Sequence, residues 1–370
     1  MFQSARNFLI GAAAAAVDVA VTQTAALASG RRRRPSPSSP SSRPQANLES
    51  LGHDDRLAYL SAIATAYAGA SEHYFRPPRT IAPAETPVTA PGGPEAIAID
   101  LAWTSDYDTY LPGLSEKWAD AVENRTAVAR ILSRGPQSRD HRRPAIVLIH
   151  GYLGGNFAVE PKFFPTEWLL SLGLDVVFFA LPFHGRRAEP RRRVPRFPGS
   201  DPRVTNEGFR QALCDLRDLV DYLLRRGHPS VGLMGMSLGG YTAALAATLE
   251  PRLAHVTLLI PLASFADWAR DHGRLSALHS EHSVEYEAVE DAYRIISPLA
   301  RAPVVSGRRM LVLGAAADRI TPVAHAERLA AHFGAPFHTF PGGHMVQIGR
   351  DRHLKHLEVL LRDHGVIARP

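Results

Sequence analysis

Two rhythms of apolar residues run along this chain. From residue 145 onward, short and mostly unbroken apolar runs recur at 145–149, 174–181, 231–234, 255–262, 310–313 and 337–340. Such runs predict strands covered on both faces, the condition of a parallel sheet layered by helices. Between them the apolar spacing changes to that of helices. Phe209, Leu213, Leu216, Val220 and Leu223 make one stripe over 206–225, and further helices are expected at 238–249, 324–333 and 352–363. Residues 96–103 and 126–132 read as two earlier strands, with an irregular or helical piece at 112–122 between them. Strands alternating with helices predict an α/β domain with a mostly parallel, doubly wound sheet, in which a ligand binds at the carboxyl ends of the strands.

The pattern before residue 95 is different. Residues 1–30 carry an Ala-rich apolar stretch from Phe8 to Val17 and an Ala26-Leu27-Ala28 sequence, which imitate a secretory signal. Asp18 interrupts the run, and a product cleaved there would begin just before Arg31, Arg32, Arg33 and Arg34. The Arg, Pro and Ser composition of 31–44 cannot bury enough apolar surface to order itself. The expected organisation is therefore a signal-like or disordered extension over 1–46, a docking helix and Pro-rich linker over 47–94, and a catalytic domain over 95–370. In the docking segment Leu57, Leu60, Ile63, Ala64 and Tyr67 stand at helical spacing. The expected location is cytoplasmic, with membrane anchoring or secretion through residues 1–28 as the alternative.

Charge changes little in this picture. The net charge of +6 is concentrated in the first 50 residues, which hold six Arg against Asp18 and Glu49. The remaining body has no basic bias, which argues against nucleic acid as a partner. Arg186, Arg187, Arg191, Arg192, Arg193 and Arg196 form a local group that reads as a solvated loop or an anion contact. The lone Cys214 lies within the 206–225 helix and reads as core packing. No HExxH, P-loop or GxGxxG pattern follows a strand, so no cofactor or metal is expected.

The chemistry-bearing pattern is Gly235-Met236-Ser237-Leu238-Gly239 at the end of the 231–234 strand. A strand-to-helix turn that exposes a serine hydroxyl brings backbones close together, and the two glycines remove side chains that would collide there. Here the sequence resembles the serine esterase and lipase branch of the α/β-hydrolase superfamily, over roughly residues 95–366. The resemblance implies a Ser, Asp, His order. Ser237 occupies the elbow, Asp318 follows the 310–313 strand, and His344 follows the 337–340 strand in Pro341-Gly342-Gly343-His344. It also implies an oxyanion hole made by the backbone N–H groups of Leu238 and Tyr152.

His150, Gly151 and His184 are expected to shape or line the pocket, and Asp267 is the substitute acid. Residues 264–307 separate two core strands, and the resemblance implies a small lid there, with Trp268 and Tyr286 as substrate contacts. The implied reaction is hydrolysis of a small-molecule carboxylic ester or lipid through an acyl-enzyme. Acyl transfer, thioester or peptide cleavage by the same triad, and a catalytically silent binding protein, are the alternatives. Membrane contact is open to the N-terminal segment and, as the alternative to a solvated loop, to the Arg group that begins at Arg186.

Overall fold

The computed structural model describes residues 14, 15, 18, 48–70, 74–90, 96–105, 107–135 and 142–369. A nine-stranded sheet organises them, and its strands in chain order are β1 (Ala84–Val88), β2 (Ala96–Thr104), β3 (Thr126–Arg134), β4 (Ala145–Ile149), β5 (Asp175–Phe179), β6 (Val231–Met236), β7 (Leu253–Leu259), β8 (Met310–Ala315) and β9 (Phe337–Phe340). Their spatial order is β1-β2-β3-β5-β4-β6-β7-β8-β9. The first four in that order pair antiparallel, and every pairing from β5–β4 onward is parallel.

The parallel half is apolar on both faces because both are covered. In β4, Ala145, Val147 and Ile149 enter one core cluster while Ile146 and Leu148 enter the other. Strand β5 repeats the alternation, with Val177 and Phe179 on one side and Val176 and Phe178 on the other. Period-two geometry thus splits each continuous apolar run between two layers.

One difference from the sequence reading concerns the segment 77–94. Its residues Ala84–Val88 form β1, paired in register with Ala98–Ala102 of β2. Pro87 sits in this strand, which is tolerated because β1 is at the sheet edge. The docking helix α1 (His53–Ala68) buries Leu60, Ile63 and Tyr67, and two short helices, α2 (Ser115–Ala119) and α3 (Thr166–Ser171), follow it in the chain. The hydroxyls of α1 are anchored as well: Tyr59 donates to Asp201 and Tyr67 to Glu207, both at 3.0 Å.

The long helix α4 (Pro202–Arg226) starts four residues before the stripe predicts. Asp201 caps it by accepting the Arg203 N–H, Pro202 fills the first turn, and Gly227 ends it in the left-handed conformation. The other helices that matter here are α5 (Leu238–Ala246), α6 (Phe265–Asp271), α7 (His279–Tyr293), α8 (Val323–Phe333) and α9 (Leu354–Asp363). No helix among the described residues is long and apolar enough to cross a membrane. Apart from Ala14, Ala15 and Asp18, the proposed signal or anchor over 1–28 lies outside the described residues.

Candidate active site

Backbone strain is concentrated at one end of the sheet. The four non-glycine residues with positive φ among the described residues are Leu153, Phe183, Ser237 and Ile260. Each lies one to four residues beyond the carboxyl end of a parallel strand: β4, β5, β6 and β7 respectively. Non-glycine residues in this region are costly and persist where surrounding structure over-determines them, commonly at functional sites.

Ser237 joins β6 to α5 with φ 56° and ψ −113°. Its N–H donates to Leu259 O at 3.0 Å, and its own carbonyl accepts from Tyr241 at 3.0 Å and Leu262 at 3.3 Å. The flanking glycines are required by contact. A Cβ on Gly235 would lie 2.0 Å from Gly239 O, and one on Gly239 would lie 2.0 Å from Ile149 O. The turn is therefore compressed between its own first helical turn and the end of β4.

The three side chains of the expected triad come together across 107 residues of sequence. His344 Nε2 is 2.9 Å from Ser237 Oγ, and His344 Nδ1 is 2.7 Å from Asp318 Oδ2. A carboxylate can only accept, so Nδ1 carries the hydrogen and Nε2 presents its lone pair to the serine hydroxyl. Asp318 is itself fixed: its Oδ1 accepts the N–H groups of Ile320 and Thr321, both at 2.8 Å. Thr321 Oγ1 lies 3.2 Å from Asp318 Oδ2 and 3.1 Å from Ile260 O. Ser237, His344 and Asp318 are all more than nine-tenths buried, so water is largely kept from the relay.

The turn beyond β4 packs directly on the serine. A Cβ on Gly151 would lie 3.4 Å from that of Ser237. Tyr152 follows it, half-exposed, and Leu238 is the first residue of α5, where the helix leaves an N–H without an intrahelical acceptor.

His150 is a buried turn residue. Its Nδ1 donates to Gly151 O at 2.7 Å and its Nε2 accepts the Leu181 N–H at 3.0 Å, which fixes one neutral tautomer and ties the β4 turn to the β5 turn. Burial pushes its pKa down to about 4. His184 packs on it at 5.1 Å and on Tyr152 at 5.9 Å between ring centroids, and burial likewise holds it well below the ordinary histidine range. His184 also lines a cleft of about 140 Å³ together with Leu153, Gly154, Phe183 and Arg192.

A pH dependence of stability follows. His150 takes up a proton near pH 6.5 when unfolded but only near pH 4 when folded, so the unfolded state binds more protons between those values. Its contribution is intact above about pH 6.5 and is lost as pH falls towards 4, by about 3 kcal/mol over the window. His255, buried and also pushed down to about 4, adds a loss of the same sign. Denaturant midpoints should therefore fall steeply between pH 7 and pH 4.5; a flat profile would contradict these burial assignments.

The remaining expected residues divide. Asp267 does not reach His344: it accepts from Tyr286 at 2.9 Å and pairs with Arg270 at 2.9 Å and with Arg328. It is thus a tie between α6, α7 and α8, and the substitute-acid reading is corrected. Tyr286 is held in that tie, while Trp268 packs against His272 and Arg274. The Arg group after β5 is largely paired internally. Arg187 is fully buried on Asp215 at 2.9 Å, Arg186 bonds Asp100, and Arg192 and Arg196 share Glu189.

Sequence reasoning missed the contact at Asp18, which accepts hydrogen bonds from the backbone of the acid and histidine loops. Its one signal was a carboxylate placed inside an apolar run.

Sheet order, elbow and strand-end loops define the class: this chain has the α/β-hydrolase fold. Residues 210–340 match the prolyl oligopeptidase family, a stretch that contains Ser237 and Asp318 and ends just before His344. An uncharacterized protein of Mycobacterium tuberculosis (strain H37Rv) is 34% identical over 241 residues, which are 63% of this chain. The chain spans 56% of the length of that curated relative. Among solved structures, the acetyl xylan esterase of a Paenibacillus species has a TM-score of 0.52 at 14% identity, covering 88% of this chain and 100% of its own. Acetyl xylan esterase 1 of a Thermoanaerobacterium species has the same TM-score at 18% identity, covering 83% and 93%. At these identities the likeness is one of fold.

Proposed function

We propose that this protein is a serine hydrolase that cleaves carboxylic esters through an acyl-enzyme on Ser237. The observation that carries the reading is the continuous relay from Ser237 Oγ through the His344 ring to a doubly bonded Asp318 carboxylate. In this reading His344 Nε2 takes the hydroxyl proton as Oγ attacks the ester carbonyl, then delivers it to the departing alcohol. Asp318 holds the ring in the Nδ1–H tautomer and stabilises the cation that forms. The Leu238 and Tyr152 N–H groups receive the oxyanion, with the positive end of α5 adding to them. Water then attacks the acyl-enzyme, with His344 again as base, and releases the acid and Ser237.

A second reading has specific support. The prolyl oligopeptidase match over the nucleophile and acid favours peptide amides as substrates. The lid role of 264–307 belongs to either reading: α6 and α7 stand between β7 and β8, and Trp268 and Tyr286 would select the group bound beside the serine.

A panel of p-nitrophenyl esters of increasing acyl length, with one thioester and one peptide p-nitroanilide, separates the readings. The ester reading expects kcat/KM to be highest on an oxygen ester. Preference for the anilide would move the protein to the peptidases, and no turnover of any member by folded protein would sink both.

A further inference from the structure

Asp18 belongs to the extension that resembles a removable leader, yet it is fully buried against the loops that bear the acid and the base. Its Oδ2 accepts the N–H of His344 at 2.8 Å and that of Arg319 at 3.2 Å, and its Oδ1 accepts the N–H of Met345 at 2.9 Å. Arg319 directly follows Asp318. One carboxylate therefore joins the residue beside the acid to the base and to its successor, bridging two loops that come from β8 and β9. Convergent backbone N–H groups of this kind form an anion-holding concavity, and bonds from them to an ionised carboxylate are among the stronger hydrogen bonds. The neighbouring glycine keeps the space open. A Cβ on Gly343 would stand 2.8 Å from Asp18 Oδ2 and 3.1 Å from the Ala14 Cβ.

Ala14 and Asp18 reach the domain from an extension that contributes no strand among the described residues, and the three Asp18 hydrogen bonds named above end on the acid and histidine loops. The two loops also meet directly, through the Ala317 N–H on Gly342 O at 3.0 Å and Thr321 Oγ1 beside His344 Nδ1 at 3.1 Å, and the Asp18 carboxylate adds three bonds that fix their main chains on either side of the Asp318 Oδ2 to His344 Nδ1 contact. A shift of about 1 Å in such a relay can lower turnover a hundredfold, since catalysis depends on near-attack geometry.

We propose that Asp18 is a positioning residue that clamps the Asp318 and His344 loops together through their main chains, so that the N-terminal segment is a working part of the active site. Cleavage after residue 28 would then remove a component of the site itself. The inference rests on the hydrolase reading above, and it assigns Asp18 no contact with the reacting atoms.

The test compares Asp18→Ala, Asp18→Asn and Gly343→Ala in the full chain. It measures kcat and KM on p-nitrophenyl acetate per active site titrated with a fluorophosphonate, beside thermal melting. Asp18→Ala is expected to lower kcat by roughly ten- to a hundredfold with KM within about twofold. Asp18→Asn, whose amide oxygen still accepts, should recover part of the loss, and Gly343→Ala should repeat it by expelling the carboxylate from the other side. In a His344→Ala background, where turnover is taken per mole of folded protein because that variant does not label, the Asp18→Ala change should have no further effect, because the base it positions is gone. Unchanged kcat per titrated site in a folded Asp18→Ala or Asp18→Asn protein would overturn the proposal, as would an equal loss with and without His344. Should Asp18→Ala fail to fold, Asp18→Asn carries the comparison alone. A wild-type protein that neither labels nor turns over would instead count against the hydrolase reading, so the two failures are distinct.

Discussion

Ser237→Ala is expected to lower ester turnover by at least a thousandfold while leaving the melting temperature close to that of the wild type. The hydroxyl makes one recorded side-chain contact, to His344 Nε2, whereas the backbone bonds that hold the elbow belong to atoms that alanine keeps. The loss is thus one of chemistry. His344→Ala should fall to a similar residual level, because without a base the hydroxyl is a poor nucleophile near neutral pH. The double variant should be no worse than either single one, since groups that act as a unit are far from additive. Losses that multiply would mean that the two side chains do not share one step.

Gly239→Ala is expected to abolish both activity and stable folding. The added methyl would stand 2.0 Å from Ile149 O, 2.5 Å from Ile149 C and 2.7 Å from His150 O, all of them backbone atoms in the centre of the sheet. Nothing flexible can yield there. Strand β4 would have to move away from the elbow, carrying the Gly151-Tyr152 turn away from Ser237. The expected cost exceeds the roughly 1–3 kcal/mol of ordinary overpacking. Gly69→Ala is the matched control, because its added methyl meets nothing within 4 Å, and it should stay within about 0.5 kcal/mol of wild type in denaturant melts. Equal stability of the two variants would contradict the packing described for the elbow.

Much of the parallel half of the sheet was legible because its strands are buried on both faces and read as apolar runs; β4, β6 and β8 start where those runs start. The elbow was legible for a different reason, a glycine pair required by contact around a serine. What escaped depended on tertiary context. Strand β1 carries a proline and stays exposed over Ala84–Pro87, so neither periodicity nor hydrophobicity marks it, and only pairing with β2 makes it a strand. The start of α4 lay in a capping Asp-Pro pair rather than in the apolar stripe.

The site divides along the same line. Ser237, Asp318 and His344 each sit just past a strand and could be ordered along the chain, whereas the tie of Asp267 to Arg328 and Tyr286 needed the packing of three helices. Asp18 was visible only as an anomaly, because its partners are backbone amides some three hundred residues away. No residue pattern announces a main-chain donor.

The most direct measurement is covalent labelling of the folded protein with a fluorophosphonate, followed by mass spectrometry of its peptides. The account predicts a single adduct on Ser237, formed rapidly in the wild type and lost when residue 344 is alanine. Failure of the folded wild type to label, or an adduct on any other serine, would contradict it.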